Sequence, residues 1–241
     1  MKNVLLLGGT GLLGTNWLFF RNKKENYFVN IHKKKFKKDN LKFNKVSINL
    51  KSKKKIIEFI KKNKISILIN LIAITDIDFC EKNKLKAFIT NVKLVKIISE
   101  ACKRTNTTLI YVSTDQLFDG KKKIYSENSK ICTLNNYGAT KSKAESIIKK
   151  VCKKYIILRS NFFCWSFNNK NLLSQIIKNL KNKKNFYGWK NVYFTPVYSR
   201  TLIDVAFFLE SKGKYGLFNV SCDEPISKYS FASIITKKFS F

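Results

Sequence analysis

Tyr137 and Lys141 stand four residues apart in the run LNNYGATKSKAE, and Thr114 lies upstream in YVSTDQLFDG. On a helix, a spacing of four puts two side chains on one face. A phenol beside an ammonium, with a hydroxyl in reach, can give or take a proton at the oxygen of a carbonyl or carbinol carbon. The ammonium favours the phenolate, so the pair predicts a tyrosine pKa drawn down toward the working pH. Thr114, Tyr137 and Lys141 are therefore the candidate catalytic set. With 48 Lys and Arg in 241 residues, the tyrosine–lysine spacing alone could arise by chance. Its weight comes from the elements around it.

The first of these is at the N-terminus. Asn3 to Leu7 is an unbroken apolar run of strand length, as expected of a strand buried on both faces. It leads directly into GGTGLLG and then a helix from Leu12 to Phe20. In such a strand–turn–helix, Gly8 permits the tight turn, Gly11 lets backbone approach a pyrophosphate, and Gly14 lets helix and strand pack closely. A second strand, Tyr27 to His32, ends eighteen residues past Gly14 without an acidic residue. The cluster HKKK, His32 to Lys35, stands there instead, a charge pattern suited to the 2′-phosphate of NADP.

Strands and helices then alternate. The pattern predicts a short strand near Val46–Ile48, a helix over Ser52–Lys62, and a strand over Ile65–Ile72. A single helix over Leu85–Arg104 follows, with Phe88, Val92, Val95 and Ile98 on its apolar face. A strand at Thr108–Ser113, a helix at Tyr137–Cys152 and the buried strand KYIILRS complete the alternation. The predicted fold is α/β, a Rossmann-type doubly wound parallel sheet with a small C-terminal substrate lobe. Residues 1–160 form the dinucleotide-binding part and 161–241 the lobe. Gly8–Gly14, Asn70–Thr75 and Ser113–Asp115 all fall at carboxyl ends of strands, where such folds bind ligands. In the lobe, Trp165, Tyr187 and Trp189 could stack on a sugar or base, but a place in the core is the simpler reading for each.

Composition narrows the function classes. A net charge of +33 suits a phosphate backbone. The lysines are scattered through nearly every segment, however, and arginine, the usual reader of base edges, is scarce, so no specific nucleic-acid partner is expected. No apolar run approaches the length of a membrane span. The apolar start breaks at Gly8 and Gly9, too early for a signal peptide, and a cytoplasmic location is expected. The six cysteines are far apart and His32 is the lone histidine, so no metal is expected and free thiols are.

With GGTGLLG, INLIAITDIDFCEKN, VSTDQLFDG, LNNYGATKSKAE and LRSNFF in order, the chain resembles the extended short-chain dehydrogenase/reductases. Within them it is most similar to the dTDP-4-dehydrorhamnose reductase (RmlD-like) family of sugar-nucleotide enzymes. The resemblance implies NADPH-dependent reduction of a nucleotide-linked 4-keto-6-deoxysugar in surface polysaccharide precursor synthesis, with NAD(H) as the alternative cofactor. Tyr137 would protonate the sugar C4 oxygen and Lys141 would hold the nicotinamide ribose. Thr114, Asp115 and Phe162 would contact substrate. Gly8, Thr10, Gly11, Leu12, Leu13 and Gly14 would cradle the pyrophosphate, with His32 and Lys33 beyond it, Asn49 and Leu50 by the adenine, and Ile72, Ala73 and Ile74 along the cofactor. A homodimer is compatible with the resemblance. Two other readings are an NAD-dependent nucleotide-sugar epimerase or dehydratase, and a non-catalytic NADP-binding regulatory subunit. Leu71 and Ile72 stand where the family has small residues and would crowd the cofactor. Gln116 replaces a common tyrosine. Relatives also continue past the position of Phe241.

Overall fold

The computed structural model describes residues 1–31, 41–166 and 171–239. Its centre is β1 (Asn3–Leu7), followed by α1 (Leu12–Phe20), β2 (Asn26–Asn30), β3 (Asn44–Val46), α2 (Lys53–Lys62) and β4 (Ile65–Asn70). Two short helices, α3 (Ile77–Lys82) and α4 (Lys84–Phe88), precede one turn of π-helix at Ile89–Lys93 and then α5 (Leu94–Thr105). Next come β5 (Thr108–Ser113), α6 (Asn136–Val151), β6 (Tyr155–Arg159), β7 (Asn161–Phe163) and α7 (Leu172–Lys181). The chain closes with β8 (Tyr193–Phe194), β9 (Pro196–Tyr198), α8 (Ser199–Ser211), β10 (Gly216–Asn219), β11 (Ile226–Ser227) and α9 (Lys228–Lys238).

Seven strands form one sheet in the order β10-β6-β5-β4-β1-β2-β3, every pair parallel. This is the doubly wound order 3-2-1-4-5-6 with a strand added at one edge. Its strand order reverses between β1 and β4, so the crevice for a ligand opens at their carboxyl ends. Val4 and Leu6 of β1 face a core built with Trp17 and Leu18 of α1 and Leu202 and Ile203 of α8. Leu5 and Leu7 face the opposite core, with Ile56 of α2, Val95 of α5 and Ala144 of α6. Burial on both faces is why the strand reads as an unbroken apolar run.

Beyond residue 160, α8 and β10 return to the main sheet, β10 pairing with β6. The separate lobe consists of the small sheets β7-β9 and β8-β11 with α7 and α9, packed around Ile176, Phe231 and Ala232. Trp165, Tyr187 and Trp189 are not core residues. They are 47%, 84% and 60% exposed, because the lobe fills its small interior with phenylalanines such as Phe163, Phe194 and Phe231. Strand β4 stops at Asn70, two residues short of the predicted end. Asn70 Oδ1 accepts a hydrogen bond from the Ile72 amide at 3.1 Å and turns the chain there. The single helix predicted over Leu85–Arg104 is divided by the π-turn.

Two glycines fix the turn after β1. Gly8 sits at φ +83°, a region other residues rarely adopt, and a Cβ there would stand 3.0 Å from the Leu71 carbonyl carbon. At Gly14 a Cβ would lie 2.2 Å from the Gly8 carbonyl oxygen. Neither neighbour is a movable side chain. Gly14→Ala is therefore expected to lower stability by about 3 kcal/mol, the upper range for overpacking, as a reduced urea midpoint at unchanged slope.

Candidate active site

The start of α6 is built by polar contacts. Asn135 Oδ1 accepts from the Gly138 amide at 2.7 Å, a cap worth about 1 kcal/mol. Asn136 Nδ2 donates to the Cys80 carbonyl of α3 at 2.9 Å. A Cβ on Gly138 would meet the Gln116 carbonyl oxygen at 2.3 Å, so glycine is what lets this first turn press against the loop after β5. That contact brings Thr114 to Tyr137, and both are buried. The Thr114 hydroxyl donates to Asp115 Oδ1 at 3.3 Å and accepts from the Gln116 amide at 3.2 Å. Asp115 Oδ2 accepts from Asn161 Nδ2 at 2.8 Å. Phe162, next along β7, packs against the core on the α1 and α8 side.

Lys141 lies one turn after Tyr137 and is almost wholly buried. Its ammonium donates to the Val112 carbonyl at 2.7 Å and sits 4.0 Å from the centroid of the Tyr111 ring. Burial pulls its pKa down to about 7, opposed by the Glu145 carboxylate. Tyr137 goes the other way. Burial pushes its phenol up to about 12; the Thr114 hydrogen bond opposes the rise, while Asp115 and Cys80 add to it. The lowered tyrosine pKa predicted from the pair is thus not what this fold produces. Desolvation of the phenol outweighs the lysine, whose ammonium is turned to a backbone carbonyl. Tyr137 is a neutral phenol across the physiological range, the state of a proton donor.

A cleft of about 1150 Å³ runs over the carboxyl ends of β1, β2 and β4. Of the residues read as cofactor-binding, Gly8, Thr10, Gly11, Asn49, Leu50, Ile72 and Ala73 line it. Leu13 is instead in the core, Gly14 is spent on backbone packing, and Leu12 is exposed without lining the cleft. Ile74 packs beside Tyr137, Cys80 and Ala87. His32 and Lys33 lie outside the described residues. Lysines do reach the cleft from another element, as Lys51 and Lys55 at the start of α2. Leu71 leans on the core of the α1 side and Ile72 on that of the α2 side. Both also line the cleft, so their bulk is divided between the two faces of the sheet and the cleft itself.

Asn91 escaped the sequence reading. The π-turn inserts it into the interior at 0% exposure. Its side chain accepts from the Ile74 amide at 2.9 Å and donates to the Ile74 carbonyl at 3.0 Å. It also donates to Thr140 Oγ1 at 3.1 Å, and Thr140 donates to the Tyr137 carbonyl at 2.8 Å. One amide thus joins the loop beside the cleft to the helix carrying Tyr137 and Lys141. The only signal in the sequence was an asparagine inside an otherwise apolar helical face. Among the described residues no cluster of three or more His, Cys, Asp or Glu could hold a metal, and no helix is long and apolar enough to cross a membrane.

The family model described as RmlD substrate binding domain matches residues 1–241. The dTDP-4-dehydrorhamnose reductase of Aggregatibacter actinomycetemcomitans is 28% identical over 195 residues, covering 78% of this chain and 66% of the relative. That of Salmonella typhimurium is 23% identical over 244 residues, covering 97% and 77%. The chain therefore spans about two thirds to three quarters of the length of these relatives. A hypothetical dTDP-4-dehydrorhamnose reductase from Sulfolobus tokodaii superposes with a TM-score of 0.84 at 27% identity, covering 100% of this chain and 83% of that one. The Bacillus anthracis dTDP-4-dehydrorhamnose reductase in complex with NADP shares the fold, with a TM-score of 0.84 at 22% identity over 99% and 81%.

Asn91→Asp keeps the shape of the side chain and loses its two donated hydrogen bonds. It is expected to cost about 2–3 kcal/mol in urea unfolding, the penalty for buried groups left unpaired.

Proposed function

Because the chain belongs to the RmlD substrate binding domain family, we propose that it is an NADPH-dependent reductase of a nucleotide-linked 4-keto-6-deoxysugar, like dTDP-4-dehydrorhamnose reductase. It would serve the synthesis of surface polysaccharide precursors in the cytoplasm. The observation that supports this reading is that a glycine-walled cleft and a buried neutral phenol backed by a hydroxyl lie on the same carboxyl edge of the sheet, at neighbouring strands β4 and β5.

The residues fit a dinucleotide. The Gly8 turn brings backbone to the cleft, and a Cβ at Gly11 would meet little but the Gly8 carbonyl, at 3.2 Å. That contact is tight but far looser than the 2.2 Å at Gly14, so the absence of a side chain at Gly11 serves both the turn and an approaching ligand. Gly8, Thr10 and Gly11 would hold the pyrophosphate, Asn49 and Leu50 the adenine, and Ile72 and Ala73 the nicotinamide half. Lys51 and Lys55 add positive charge at the adenine end, suited to the extra phosphate of NADPH. NADPH, when bound, supplies the hydride.

The chain's own groups handle the proton and the orientation. Tyr137 gives its phenolic proton to the sugar C4 oxygen as negative charge develops there. Thr114 donates a second hydrogen bond to that oxygen, a preorganised stabiliser in a water-poor site. Lys141, as an ammonium, holds the nicotinamide ribose and offsets the phenolate left behind. Asp115, fixed by Asn161, and Phe162 orient the sugar nucleotide. Within residues 161–241, the small sheets with α7 and α9 would supply the substrate lobe, while residues 1–160 would carry the dinucleotide. A homodimer is part of this reading.

Tyr137→Phe is expected to lower kcat on a 4-keto-6-deoxysugar nucleotide by about 100- to 10,000-fold, with NADPH affinity within about threefold of the parent. Calorimetric titration at raised salt, which screens loose charge attraction, should show NADPH bound more tightly than NADH. In the same titration Gly11→Ala should lose about tenfold in NADPH affinity with little change in melting temperature. Equal loss of both would return Gly11 to a purely structural role.

A further inference from the structure

Behind the proposed catalytic pair lies a buried charge system that the reaction described above does not use. Glu145 is one helical turn after Lys141 on the same face of α6 and is 0% exposed. Arg159, at the end of β6, is 3% exposed. Its Nε donates to both Glu145 oxygens, at 3.0 and 3.2 Å, and its Nη2 donates to Oε2 at 2.7 Å. Nη1 donates to the Glu127 carbonyl at 3.3 Å, and the guanidinium lies 5.4 Å from the centroid of the Phe118 ring. The arginine is thus held from several sides, and it holds the carboxylate in one orientation. This layer between α6 and the sheet contains one buried acid and two buried cations, Arg159 and Lys141.

We propose that Glu145, oriented by Arg159, is a positioning residue that keeps the buried Lys141 side chain in its charged form. This rests on the reductase reading of Lys141 given above. The groups facing the ammonium are few. From β5 they are the Val112 carbonyl and the ring face of Tyr111, both uncharged. On α6, Glu145 lies one turn after the lysine on the same face, and Tyr137, one turn before it, is a neutral phenol. Arg159 stands behind Glu145 from β6, and Asp115 acts on Tyr137. Glu145 is therefore the anionic group that counters desolvation of the lysine. Without it, burial acts unopposed and the ammonium loses its proton at lower pH. A pair that merely locked α6 to β6 would affect folding alone.

The test is NADPH affinity, with kcat/KM alongside it, measured across the pH range on either side of neutrality. The proteins are the wild type, E145Q, E145D and the double variant E145Q/R159M, which leaves no buried arginine without its partner. The wild type should lose affinity as pH rises through the lysine's titration, and K141R, permanently charged, should not. In E145Q the alkaline limb should move about one pH unit lower, a roughly tenfold loss of affinity at a fixed alkaline pH, and in the double variant, which also removes the arginine's positive charge, it should move by less. E145D, which retains the charge, should return the limb close to the wild-type position. A folded E145Q whose limb coincides with the wild type's overturns the proposal. A wild type with no alkaline limb, and none gained in E145Q, overturns it as well. Failure of the wild type to bind NADPH at any pH overturns the reductase reading itself, and this inference with it.

Discussion

The structure depends on the contact of bare backbone with bare backbone at the crossing from β1 to β4. Gly8 lies against the Leu71–Ile72 peptide, and Gly14 lies against Gly8, with no side chain between them. That proximity sets the entry angle of α1, closes the floor of the cleft, and leaves Leu71 and Ile72 to pack on opposite faces of the sheet. Beyond that crossing, α6 carries the buried Tyr137 and Lys141, and the small sheets with α7 and α9 form a lobe with its own core. The chain belongs to the RmlD substrate binding domain family.

The chemistry is set by burial more than by attraction between charges. Tyr137 and Lys141 share a helical face, yet each is displaced from its ordinary pKa chiefly by the loss of water, the phenol upward and the ammonium downward. A pair adjusted in this way suits reduction, where a neutral acid must be ready before the hydride arrives. It places the burden of keeping the lysine charged on groups deeper in the protein.

The fold was legible wherever one physical demand dominated a segment. Strands β1, β4 and β5 are buried on both faces, so their apolar runs announced them, and the glycine turn was marked by its context. Tyr137, Lys141 and Thr114 were legible as a set because helical spacing and a strand end determine where they point. Other features were not. The π-turn leaves no local mark, since an inserted residue shifts a helical face without altering its composition, and nothing in the sequence marked Asn91 as buried. The tyrosine pKa could not be read from neighbours in sequence, because it depends on how much water the fold removes. The exposure of Trp165, Tyr187 and Trp189 was hidden for a related reason: phenylalanines that fill the small lobe look no different in the sequence from aromatics left outside it.

The parallel pairing of β1 with β4 joins Leu7 to Asn70, whereas β1 pairs with β2 across a much shorter stretch of chain. Bringing distant segments together spends chain entropy before any contact rewards it, so such pairings form slowly. A nascent chain that has made β1 and β2 alone carries an open strand edge, Val4 to Leu7, apolar on both faces. The crevice does not exist until β4 covers that edge. The order of assembly thus makes the ligand cleft a product of the slower, long-range step, and the unfinished edge is the place where a crowded folding intermediate would find the wrong partner.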